Sequence, residues 1–220
     1  MKRILLTALL ILGSFQILSA QKHLKEHTLR AGDLLFQDLD CGDLCDAIEK
    51  VTEGFQQRDF SHMGIVTEDK KGNQYVIDAI GSHVQKIPVS RFFERSNKVI
   101  AGRLIPEYQH LVKKACAEAE KTVGIPYDDR FLMNNDSLYC SELVYQVFLS
   151  ANRGEPVFDL QPMTYKDPDT RAYFPAWVSY YQELQSAIPE GEPGINPGLI
   201  SRSEKLIIIY DFQKKDPLHY

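Results

Sequence analysis

One cysteine and one histidine stand where they could act as a reacting pair, although they lie far apart in the chain. Cys140 falls in the first turn of an expected helix from about Leu138 to Ala151, with Asp136 or Ser137 placed to cap it. The first backbone N–H groups of a helix have no intrahelical partner, and the helix dipole favours an anion there. A thiol so placed gives up its proton more readily and becomes a better nucleophile. The same N–H groups can hold a developing oxyanion. Cys140 also shares an apolar stripe with Leu143, Val144, Val147, Phe148 and Ala151, so its position suits a buried structural thiol equally well.

A thiolate mechanism needs a base, and the chain has six histidines. His23 and His27 lie in a polar lead-in, and His219 is the penultimate residue. His110 follows a helix start at Pro106 and His83 follows the turn Gly81-Ser82, so both read as solvent-facing. His62 remains. It opens the strand-like run Ser61-His62-Met63-Gly64-Ile65-Val66, and Gly64 on its face leaves room for a partner chain or substrate to approach. An ordinary edge-strand histidine would look the same. The imidazole also needs an orienting group. Asp78 is the candidate, set among Val76, Ile77, Ala79 and Ile80 on the next strand of an expected hairpin. A carboxylate buried there needs a partner, whereas one facing solvent does not.

Further residues flank this trio. Tyr127, in Gly124-Ile125-Pro126-Tyr127-Asp128, and the neighbours Tyr139 and Ser141 are candidates to support an oxyanion or line a substrate pocket. Packing is the commoner fate of a tyrosine, and Asp128 suits a turn. The aromatics Tyr173, Phe174, Trp177, Tyr180 and Tyr181 could line a pocket for an acyl chain or sugar, but core packing is favoured. Cys41 and Cys45 are spaced for a disulfide, and the spacing does not require one. No second Cys or His pair follows closely, which speaks against zinc, and Cys116 reads as core.

The elements that must position these residues follow from pattern. Strands are expected at 32–37, 61–66, 75–80, 83–89, 98–105 and 205–212, the last a continuous apolar run that reads as buried. A short helix is expected over 43–52, with Asp43 as N-cap and Gly54 as C-cap, and another over 91–95. A longer helix starts at Pro106, shows the stripe Tyr108, Leu111, Val112, Ala115, Ala119 and Val123, and stops at Gly124 and Pro126. Beyond Arg153 prolines punctuate a long ordered excursion suited to a lid or pocket wall. The sum is an α+β domain with a mostly antiparallel sheet and packed helices.

Residues 1–20 read as a secretory signal. Lys2 and Arg3 precede a short apolar run, Ile4 to Leu12, and Leu18-Ser19-Ala20 ends in small residues. The run is short for a membrane span, and no Cys follows it to carry a lipid anchor. Cleavage near Ala20 would leave residues 21–220 as one domain, outside the cytoplasm, periplasmic or extracellular. The formal charge of −5 becomes −7 without the two basic residues of the signal. That argues against nucleic acid and anionic lipid headgroups as bulk partners.

The strings Gly32-Asp33-Leu34-Leu35-Phe36, Ala47-Ile48-Glu49-Lys50-Val51-Thr52, Ser61 to Val66 and Val76-Ile77-Asp78-Ala79 resemble the YiiX/YebB-like branch of the NlpC-type papain-like cysteine hydrolases. So do Tyr127-Asp128 with Phe131, Tyr139-Cys140-Ser141-Glu142-Leu143-Val144, and Pro189 to Gly198. The resemblance covers nearly all of 21–220 and implies a circularly permuted papain-like domain, in which the His precedes the Cys. It assigns Cys140 as nucleophile, His62 as base and Asp78 as orienting acid, at a position where relatives often carry Glu. The implied reaction is amide or ester hydrolysis through a thioester, with no metal or organic cofactor. The implied substrate is a cell-wall peptide amide or an N-acyl, lipid-like amide, with peripheral membrane or cell-wall contact as a corollary. An inactive lipid- or peptide-binding protein on the same fold is the alternative. Oligomeric state is not legible.

Overall fold

The computed structural model describes residues 29–212, so the signal read at 1–20 lies outside the described residues, as do His23, His27 and His219. A six-stranded antiparallel sheet organises the chain. In chain order its strands are β1 (Leu34–Gln37), β2 (His62–Glu68), β3 (Gln74–Ile80), β4 (His83–Pro88), β5 (Val99–Leu104) and β8 (Leu206–Asp211). Their spatial order is β4-β3-β2-β1-β5-β8. The two-residue strands β6 (Gln161–Pro162) and β7 (Pro193–Gly194) pair separately. The α+β class expected from pattern is the one observed.

The sheet buries both faces, so its central strands read as apolar runs rather than alternations. One face carries Leu34, Phe36, Met63, Ile65 and Ile77 under α4 (Cys140–Ala151), whose Leu143, Val144, Val147 and Phe148 are buried. Ala115 and Ala119 of α3 (Val112–Thr122) join the same core. The other face carries Leu35, Val66, Val76, Val99 and Ala101 with Phe92 of α2 (Val89–Phe93). A third cluster joins Ala47 of α1 (Asp43–Val51) to Trp177 and Tyr181 of α5 (Pro175–Glu183), with Tyr165 between. The last helix, α6 (Pro197–Ser201), is capped by Asn196, whose Oδ1 accepts the Leu199 N–H at 2.7 Å.

Several expectations are corrected. Gly42, not Asp43, is the N-cap of α1, and the helix ends at Thr52, whose hydroxyl donates to the Ile48 carbonyl. The segment from Pro106 is a 3₁₀ turn over Pro106–Leu111 before α3 begins, and Val123 is 43% exposed rather than in the stripe. Gly124 ends that helix at φ +93°, a left-handed backbone that suits glycine. β8 is an edge strand among the described residues and alternates, with Leu206, Ile208 and Tyr210 buried and Ile207 46% exposed on the other face. Neither Asp136 nor Ser137 caps α4. Tyr139 is the N-cap residue, and the buried Glu142 carboxylate accepts the Tyr139 N–H from inside the first turn. Burial, with the charge of Asp128, pushes Glu142 up to about 8.

Cys41 and Cys45 are joined by a disulfide across the start of α1, closing a possibility the spacing had left open. Cys116 is half-buried against the core, its thiol donating to the Val66 carbonyl.

Candidate active site

The three residues singled out from sequence come together. Cys140 is the first residue of α4 and His62 the first of β2, and both are buried. His62 Nε2 lies 2.7 Å from Asp78 Oδ2, on the adjacent strand β3. The same ring hydrogen-bonds Cys140. With Nε2 taken by the carboxylate, Nδ1 is the nitrogen left for the sulfur. Burial alone would push the imidazole down. Hydrogen bonds to Asp78 and Cys140, and their negative charges, outweigh it and carry His62 up to about 9. The ring therefore favours its protonated form at neutral pH.

Gly64 has a different role from the one expected. A Cβ there would fall 2.5 Å from Val76 Cγ1 and 3.0 Å from Asp78 Cβ. The close approach comes from the side chains of β3, not from a partner chain or substrate. Glycine at this point lets Asp78 lie against β2 beside His62. This is how an aspartate, with its short reach, meets the imidazole.

The sheet face behind the ring is supplied by α2 and the residues after it. The Phe92 ring stacks on His62 with centroids 5.9 Å apart. Gln37, in register with His62 across β1 and β2, donates from Nε2 to the Phe92 carbonyl at 2.6 Å. Arg95 donates to Asp78 Oδ2, the oxygen that also meets His62. Sequence reasoning missed Phe92 and Arg95. Neither belongs to a short motif, and only the fold of β4 into α2 brings them here.

Cys140 opens onto a small pocket of about 50 Å³ lined by Ile48, Val51, Phe131, Met163 and Trp177 among others. Among the described residues, no charged one lines it. Tyr127, Tyr139 and Ser141 line it too. Two of their hydroxyls are engaged with the Ile195 backbone. Tyr139 Oη accepts the Ile195 N–H at 3.2 Å, and Ser141 Oγ donates to the Ile195 carbonyl at 2.9 Å. They fix the pocket wall to α4. Burial, with the charge of Cys140, holds the Tyr127 phenol well above its ordinary value, so it stays protonated. Asp128 organises the turn ahead of α4, accepting the N–H groups of Arg130 and Leu132. Of the late aromatics, Trp177 and Tyr181 are core, Trp177 also faces the pocket, and Tyr173 is 36% exposed beside Lys166. His83 and His110 are exposed, the first bonded to Ser82 and the second to the Glu107 carbonyl.

The chain is 31% identical over 129 residues to the uncharacterized protein YiiX of Escherichia coli strain K12, a match covering 56% of this chain and 58% of that protein. The matched region thus spans a little over half of that relative's length. A crystal structure described as that of the metalloprotein yiiX from Escherichia coli O157:H7 superposes with a TM-score of 0.67 at 24% identity, covering 83% of this chain and 97% of the other. That likeness shows the fold. Among the described residues of this chain, no group of three or more His, Cys, Asp or Glu is gathered to hold a metal, so the donor set does not fit a metal centre. Residues 28–210 match the permuted papain-like amidase family YaeF/YiiX, C92. The chain belongs to that family of permuted papain-like amidases.

Proposed function

We propose that the protein is an exported cysteine amidase that cleaves amides with an apolar acyl group. The observation that carries this is the convergence of Cys140, His62 and Asp78, with Cys140 lining a pocket that has no charged residue among its described lining. The protonated His62 ring beside the sulfur supports a thiolate–imidazolium pair. In this reading the thiolate attacks the amide carbonyl and the N–H groups opening α4 hold the oxyanion. His62 then gives its proton to the departing amine as the C–N bond breaks, leaving the acyl group on Cys140 as a thioester. Water, losing a proton to His62, attacks the thioester, and the acid and the free thiol are released. Asp78 keeps the ring turned and stabilises its charge.

The apolar lining favours an acyl chain, since a charged peptide would leave its polar groups unpaired there. A cell-wall peptide amide is the second reading. A mixed-charge cleft beside the pocket shares Val51 and Thr164 with it and carries Lys50, Glu53, Lys166 and Arg171. Cys140 lines the apolar pocket and not the cleft, which ranks the acyl substrate first. The signal-like residues 1–20 and the Cys41–Cys45 disulfide both support export to an oxidising compartment. The test is product analysis. N-acyl amides and cell-wall peptides are each incubated with wild type and with Cys140→Ala. Release of fatty acid by wild type alone supports the proposal, and release from neither class by wild type overturns it.

A further inference from the structure

Asp78 is completely buried, and its carboxylate is used unevenly. Oδ2 receives both His62 Nε2 and Arg95 Nη1, whereas Oδ1 has no hydrogen-bond partner among the described residues. A carboxylate held only by the imidazole could turn about its own axis, and nothing on Oδ1 would resist. The second donor on Oδ2 removes that freedom. It also offsets the cost of burying the charge. An arginine suits the task because its guanidinium is planar and always charged. Its own position is fixed from behind, since the guanidinium lies 5.8 Å from the Phe92 ring centroid and Phe92 stacks on His62. Gln37 in turn ties the Phe92 backbone to β1.

We propose that Arg95 is a positioning residue of the site, holding the Asp78 carboxylate on His62 and so setting the orientation of the imidazole toward Cys140. The inference rests on reading Cys140 and His62 as a reacting pair. The groups facing the ring are Asp78 from β3, Cys140 from α4, neutral Gln37 from β1, and Phe92 and Arg95 from α2 and just after it. On its outer side Arg95 borders a solvent cleft with Asp38, Asp40, Glu94 and Lys98. Asp38 is paired with Lys98 and Glu94 with Arg91. The guanidinium therefore finds its buried anion inward, at Asp78.

The experiment compares wild type with Arg95→Met and Arg95→Lys, checking each fold by circular dichroism. It reads the titration of the His62 ring by NMR and the rate of Cys140 alkylation by iodoacetamide. In Arg95→Met the His62 midpoint is expected to fall by at least about one pH unit, with alkylation near neutral pH slowed by about tenfold. Arg95→Lys keeps a cation without the planar fork and is expected to shift the same way by less. It keeps the test open if the Met variant does not fold. A midpoint that stays in place, or rises as it would if Arg95 were only a screening charge, overturns the inference. The reading of the site fails separately, if wild-type Cys140 reacts near neutral pH no faster than an ordinary thiol.

Discussion

The His62 ring and the Asp78 carboxylate meet at 2.7 Å across two neighbouring strands, both side chains buried. The contact lets a buried histidine keep its proton, with Cys140 on the ring's other side. Asp78→Asn keeps the shape and removes the charge. It is expected to lower turnover by at least about tenfold and to bring the His62 midpoint down from about 9. Steady-state kinetics and NMR titration of the variant check both, and an unchanged midpoint would contradict the role given to Asp78.

The same contact depends on a glycine. Gly64→Ala puts a methyl group 2.5 Å from Val76 Cγ1 and 3.0 Å from Asp78 Cβ, so β3 must shift. The variant is expected to lose roughly 1–3 kcal/mol of stability, the usual cost of overpacking. It is also expected to alkylate more slowly at Cys140. Denaturant unfolding and iodoacetamide kinetics measure the two effects, and a variant as stable and as reactive as wild type would show that the space is not needed.

His62 makes the fold pH-dependent in a stated direction. Its folded value of about 9 lies above its ordinary 6.5, so the folded state holds the proton more tightly than the unfolded chain. The stability it contributes is complete below 6.5, declines as pH rises through the interval, and is gone above about 9. Wild-type Tm should therefore fall more steeply across that interval than the Tm of His62→Gln. Parallel curves for the two proteins would count against it.

Thiol chemistry separates the four cysteines. Without reductant, two thiols are expected to be free, since Cys41 and Cys45 are bridged. Cys140 should alkylate quickly and Cys116 slowly, because burial pushes the Cys116 thiol up to about 11. Replacing Cys41 and Cys45 by Ser is expected to cost about 2 kcal/mol, as befits a short closed loop. Mass spectrometry after timed alkylation distinguishes the sites. Equal rates at Cys116 and Cys140 would contradict the assignment.

Much of this architecture was legible because it is local. The strands at His62 to Glu68 and Gln74 to Ile80 are apolar runs with a turn at Gly72 between them, and Cys140 precedes a clear apolar stripe. The pairing of His62 with Asp78 was half legible, since a hairpin brings neighbouring strands together but pattern does not fix their register. What was illegible is non-local. Arg95 reaches Asp78 only because α2 folds back over the sheet, and Ile195 receives Tyr139 and Ser141 from 56 and 54 residues away. The cap of α4 misled for a physical reason. Asp136 and Ser137 have the right chemistry, but the segment before Cys140 bridges Tyr127 to Leu138, and this delays the helix.

In the proposed reaction Cys140 carries the acyl group during turnover. Intact-protein mass spectrometry on enzyme mixed with a slowly hydrolysed N-acyl amide tests it directly. An adduct with the mass of the acyl group is expected, mapped to Cys140 and absent in Cys140→Ala. Acid release by Cys140→Ala at the wild-type rate, or an adduct located on another residue, would contradict it.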